Sequence, residues 1–142
     1  MKKFILSVIL CGFLFCEGAQ NNASKDVCEL EFIQNEIAMT TQNKEAYAYG
    51  DMTTFDGMKC ENGVVTFEYT YKPKYSADLE KVSAETKQYA LNHMKSMMSA
   101  VFCNMPELEL HRKNNLIMRY LYSTTNVKNF YEVEVSNKDC KK

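Results

Sequence analysis

From Val64 to Tyr71 the chain alternates: Val65, Phe67, Tyr69 and Tyr71 fall on one side, and Val64, Thr66, Glu68 and Thr70 on the other. A period of two with one bulky apolar face predicts a half-buried antiparallel strand. Thr53 to Cys60 reads as its hairpin partner, because Glu61-Asn62-Gly63 between them contains Asn-Gly, two residues that tolerate positive φ. Leu116 to Thr124 repeats the pattern, with Leu116, Met118, Tyr120 and Tyr122 on one face. A turn at Asn126 to Asn129 leads to a last strand, Phe130 to Val135. Tyr131, Val133 and Val135 share one face of it, and Phe130, Glu132 and Glu134 the other.

Two stretches carry the helical period instead. Leu30, Phe32, Ile33 and Ile37, set among Glu and Gln, predict a helix from Asp26 to about Ala46, with Asp26 as its cap. Lys72-Pro73-Lys74 ends the second strand. A long helix then begins near Leu79 or at the cap residue Ser83 and reaches about Asn104. Val82, Tyr89, Ala90, Met94, Met97, Met98, Val101 and Phe102 form its apolar stripe. Pro106 stops it or opens a short second helix, Pro106 to Lys113. The order is helix, hairpin, helix, hairpin. The expected fold is α+β: a single antiparallel β-sheet with helices packed on one face, in one domain spanning residues 26–142.

The first eighteen residues follow another logic. Lys2 and Lys3 precede an uncharged apolar run, Phe4 to Phe15, shorter than the roughly 20 residues a spanning helix needs. This is the layout of a signal peptide, with cleavage expected after Gly18 and a polar, flexible leader at residues 19–25. Lipidation at Cys16 is the competing reading, in which a lipid would tie the protein to a membrane. The expected compartment is therefore the periplasm or the exterior.

With 142 residues, one ordinary domain is allowed. A hydrophobic share of 46% and a charged share of 25% are those of a globular protein. The net charge of −1 argues against nucleic acid as a partner, since phosphate binding needs a basic excess. Beyond the leader, Cys28, Cys60, Cys103 and Cys140 remain. An even cysteine count in a small exported domain reads as disulfides, and four cysteines permit three pairings. No CxxC or paired-histidine spacing is present, so no metal is expected, and no motif calls for a cofactor.

The two histidines have structural readings. His93 lies at the edge of the long helix's stripe, and His111, beside Arg112 and Lys113, stands where cations favour a helix C-terminus. A small hydrolase using His93 or His111 is the enzymatic alternative, but no nucleophile elbow, phosphate loop or free catalytic thiol accompanies them. Alternating Glu132 and Glu134 read as a solvated strand face. The Met94, Met97 and Met98 cluster is chiefly core. With Tyr89 and His93 it also outlines a candidate partner groove, because methionines adapt to varied partners and tyrosines favour interfaces.

Certain segments resemble a known group. They are Asp51-Met52-Thr53-Thr54-Phe55-Asp56, Val65-Thr66-Phe67-Glu68-Tyr69-Thr70-Tyr71, Phe102-Cys103-Asn104, Leu116-Ile117-Met118-Arg119-Tyr120-Leu121-Tyr122 and Asp139-Cys140. The pattern resembles small exported bacterial domains, mostly of unknown function, and is similar to the disulfide-bonded pilotins of type II secretion. The resemblance implies a periplasmic, non-catalytic binding module, pilotin- or chaperone-like, recognising a segment of another envelope protein; an inhibitor or immunity protein is the alternative. Cys103 and Cys140 match the group's cysteines, so the resemblance implies that they pair and that the additional Cys28 and Cys60 pair with each other. A last strand beneath the long helix, and a first helix along the hairpin, would bring each couple together.

Overall fold

The computed structural model describes residues 26–140. The expected signal peptide, the 19–25 leader and Cys16 lie outside them. One four-stranded sheet carries the fold, in the order β1 (Thr53–Glu61), β2 (Val64–Tyr71), β3 (Ile117–Ser123) and β4 (Tyr131–Val135). Asn62 and Gly63, both at positive φ (51° and 77°), turn the chain tightly between β1 and β2, and Asn-Gly is the pair that fits such a turn at least steric cost. An irregularity between Phe55 and Gly57 shifts the register of β1 by one residue. The two hairpins are antiparallel, but the central β2–β3 pair runs parallel, where an all-antiparallel sheet was expected. Alternation specifies which face is buried and not which way a strand points. The long helical connection after β2 is what permits a parallel return.

Register stacks the apolar positions into rows across the sheet. Cys60, Val65, Met118 and Val135 form one row, Met58, Phe67, Tyr120 and Val133 the next, and Phe55, Tyr69, Tyr122 and Tyr131 a third. The opposite face is polar. There Lys59 pairs with Glu68 at 2.8 Å, and Arg119 reaches Glu134 at 2.6 Å and Glu132 at 3.4 Å.

The helices cover the apolar face. The expected first helix is broken. Asp26 caps a 3-10 turn, Val27–Glu29, and is followed by α1 (Glu31–Gln42) and α2 (Lys44–Tyr47), both lying along β1. Met58 of β1 meets the buried Thr40 of α1. A helix absent from the sequence reading, α3 (Pro73–Leu79), starts directly after β2 with Pro73 in its first turn. The buried Ser76 hydroxyl donates to the Tyr71 carbonyl at 2.9 Å and accepts from the Thr125 amide, tying α3 to the β3–β4 loop.

Helix α4 (Ala84–Asn104) begins at Ser83, whose hydroxyl accepts from the Thr86 amide at 3.1 Å, and packs along β4. Its fully buried Phe102 anchors it. Lys87 stands 4.2 Å over the Phe130 ring, and Lys95 donates to the Glu134 carbonyl, which covers the β4 edge. Phe130, expected on the polar side with Glu132 and Glu134, is buried edge-on against Tyr131.

The Pro106–Lys113 stretch is a 3-10 turn, Pro106–Leu108, followed by α5 (Glu109–Lys113). Cys28 is bonded to Cys60 and Cys103 to Cys140, with Cα separations of 5.4 and 5.3 Å. This is the pairing expected from the resemblance. The first bond fixes the start of α1 to the hairpin tip. The second fixes the end of α4 to the tail beyond β4. Among the described residues no helix is long and apolar enough to cross a membrane.

Candidate functional site

Helices α1 and α2 take one outer strand and α4 the other. Over the middle pair a groove of about 470 Å³ opens. Its floor is Thr53, Tyr71, Tyr120 and Tyr122 of the sheet. One wall is Met94, Met97, Met98 and Val101 of α4, and the other is Tyr49 and Met52 from the segment between α2 and β1. The α4 wall follows from helical spacing, since positions 94, 97, 98 and 101 recur on one side of the helix. The opposite wall follows from the chain's path: Gly50, at φ 51°, lets it turn back over the sheet before β1 begins.

The tyrosines form a connected stack. Tyr69 and Tyr122 lie nearly parallel with ring centroids 5.0 Å apart, and Tyr49 covers both at 5.1 and 6.1 Å. Burial pushes the Tyr71 phenol up to about 12, with Tyr131 and Tyr49 adding to the effect. Burial likewise pushes Tyr69, Tyr120 and Tyr122 well above the ordinary phenol value. Among the described residues no carboxylate, imidazole or thiol lines the groove, whose surface offers apolar contact and a few hydroxyls.

Of the residues singled out in the sequence, the structure brings Met94, Met97 and Met98 into this groove. Tyr89, 74% exposed, and the exposed His93 lie elsewhere on α4, outside the lining. Alternation marked Tyr71, Tyr120 and Tyr122 as facing the helices, but it could not mark them as the floor of a groove. Tyr49 and Met52 carried no signal, because they belong to an irregular segment whose course depends on tertiary contacts.

His111 is in another place. It is buried in α5, with Nε2 2.9 Å from Glu36 Oε2 and its ring edge-on to Phe32 at 5.3 Å. Among the described residues no group of three or more His, Cys, Asp and Glu gathers around one point. Two disulfides in so small a domain are the chemistry of an oxidising compartment, outside the cytoplasm.

No protein-family model matches the chain, and no curated protein matches it in sequence. Its fold is similar to that of a candidate secreted protein of Pseudomonas aeruginosa. The TM-score is 0.53 at 9% identity, over 76% of this chain and 95% of that one. It is also similar to the pilotin of the type 2 secretion system of Vibrio vulnificus. There the TM-score is 0.47 at 10% identity, over 77% of this chain and 94% of that one. The first likeness establishes a shared α+β architecture.

Proposed function

We propose that this chain is a non-catalytic binding module of the bacterial envelope, periplasmic or exported, which receives an apolar segment of another protein in the manner of a pilotin or chaperone. The observation that carries the reading is the groove over β2 and β3. It is concave, lined by methionine and tyrosine, and among the described residues no carboxylate, imidazole, ammonium or thiol lines it. Flexible thioethers adjust to partners of different shape, and tyrosine presents wide contact area with little rotamer entropy to lose. A slot between a helix and a sheet suits the apolar face of an amphipathic segment, whose side chains every three or four residues would enter it. The two disulfides and the leader pattern of residues 1–18 support the compartment.

The experiment compares the disulfide-intact protein with the double variant Met94→Lys/Met98→Lys as bait against envelope proteins. Near-ultraviolet circular dichroism serves as the control for folding. A partner retained by the parent and lost by a folded variant is the expected result. Equal retention by both would refute the reading.

A further inference from the structure

We infer that the groove methionines, Met52 and Met97 first, are sites of oxidation to the sulfoxide, and that this modification closes the groove to apolar ligands. The inference rests on the groove reading above. Met52 and Met97 stand on opposite walls and are 47% and 51% exposed, while Met94 and Met98 are half-buried between them. A two-electron oxygen donor such as hydrogen peroxide reaches such sulfurs directly. The thioether lone pair attacks one peroxide oxygen and the O–O bond breaks. The other oxygen leaves as hydroxide and takes the proton from the oxygen now bound to sulfur, giving water. Sulfur is oxidised to the sulfoxide, and the peroxide is reduced.

The change places a strongly polar S=O on both walls of a slot that has no charged side chain to solvate it. A ligand entering would have to bury that dipole against hydrocarbon, which disfavours binding. The molecule contains its own controls. Met58 and Met118 are 7% and 3% exposed and should be protected, whereas Met39 and Met105, 53% and 42% exposed but outside the groove lining, should oxidise without consequence.

The test treats the disulfide-intact protein with hydrogen peroxide. It follows each methionine by peptide mass mapping and groove occupancy by the fluorescence of anilinonaphthalene sulfonate. Met52 and Met97 should gain oxygen well before Met58 and Met118, and dye affinity should fall about tenfold. The variant Met52→Leu/Met97→Leu, oxidised equally at Met39 and Met105, should show the same dye affinity after peroxide as it shows before. Oxidation of Met52 and Met97 no faster than that of the buried pair would overturn the inference, as would dye binding that persists once they are oxidised. If the unmodified protein does not bind the dye at all, the groove reading itself fails, and the inference with it.

Discussion

The carboxylate of Glu36 and the imidazole of His111 meet at 2.9 Å between α1 and α5, with His111 only 4% exposed. A carboxylate only accepts, so Nε2 is the donor. The other ring nitrogen, Nδ1, is buried with no hydrogen-bond partner among the described residues. This contact fastens the short α5 to the first helix; removing Glu36 leaves a buried imidazole unmatched, and removing His111 leaves a half-buried carboxylate without its donor. His111→Ala and Glu36→Ala should each cost about 1–3 kcal/mol in urea unfolding. The double variant Glu36→Ala/His111→Ala should cost less than the two single losses added together. Strict additivity would show that the pair is not coupled.

The two disulfides should each hold a large part of the stability. Residues 28 and 60 are 32 apart in sequence, and residues 103 and 140 are 37 apart. Loops of that size imply about 3–4 kcal/mol per bond in the chain-entropy account. Cys103→Ser/Cys140→Ser should therefore lower Tm by roughly 10–20 °C. An unchanged Tm would mean that the bond between α4 and the tail contributes nothing to stability.

Acid should act through Asp139. Burial raises its carboxyl, but the Lys95 ammonium at 2.8 Å and the Ser136 amide outweigh that and hold it below its ordinary value of 3.8. A carboxyl with a depressed folded value stabilises the protein above its unfolded value, and that share is lost as pH falls through the folded value. Tm should drop on acidification below pH about 4. Asp139→Asn should start lower at neutral pH and drop less, and an identical acid response in both proteins would contradict this.

Alkali should act through the tyrosine stack. Phenols that burial raises above 10.0 keep their protons when the unfolded chain would lose them. Stability is then complete below pH 10 and falls as pH climbs from there toward the folded values, about 12 for Tyr71. Ultraviolet titration should show Tyr69, Tyr71, Tyr120 and Tyr122 ionising together with a cooperative loss of structure. Stepwise ionisation of all tyrosines in the intact fold near pH 10 would contradict their burial.

Much of this architecture was legible in the residues. The strand Val64–Tyr71, the Asn62-Gly63 turn and the Ser83 cap stand where local chemistry placed them. What the sequence did not reveal depends on contacts distant in the chain. Helix α3 holds few apolar residues and is fixed by Ser76 reaching the Tyr71 carbonyl and the Thr125 amide. The parallel β2–β3 pairing has no counterpart in a period of two. His111 has the structural role read for it at the helix end, but its partners Phe32 and Glu36, the latter 75 residues away in the chain, could not be read. For the groove, the α4 methionines were readable from helical spacing. The wall formed by Tyr49 and Met52 was not, because no periodicity governs the segment before β1.

The central claim, that an apolar segment of another protein enters between α4 and the Tyr49–Met52 wall, is most directly tested by site-specific photocrosslinking in cells. A photoreactive side chain at position 97 faces the groove, and one at position 128 lines the polar depression on the sheet's other face. The account predicts that position 97 forms an adduct with one envelope protein, mapped by mass spectrometry to a single amphipathic stretch, and that position 128 does not. Adducts from position 128 alone, or no adduct from position 97 in cells that make the protein in folded form, would contradict it.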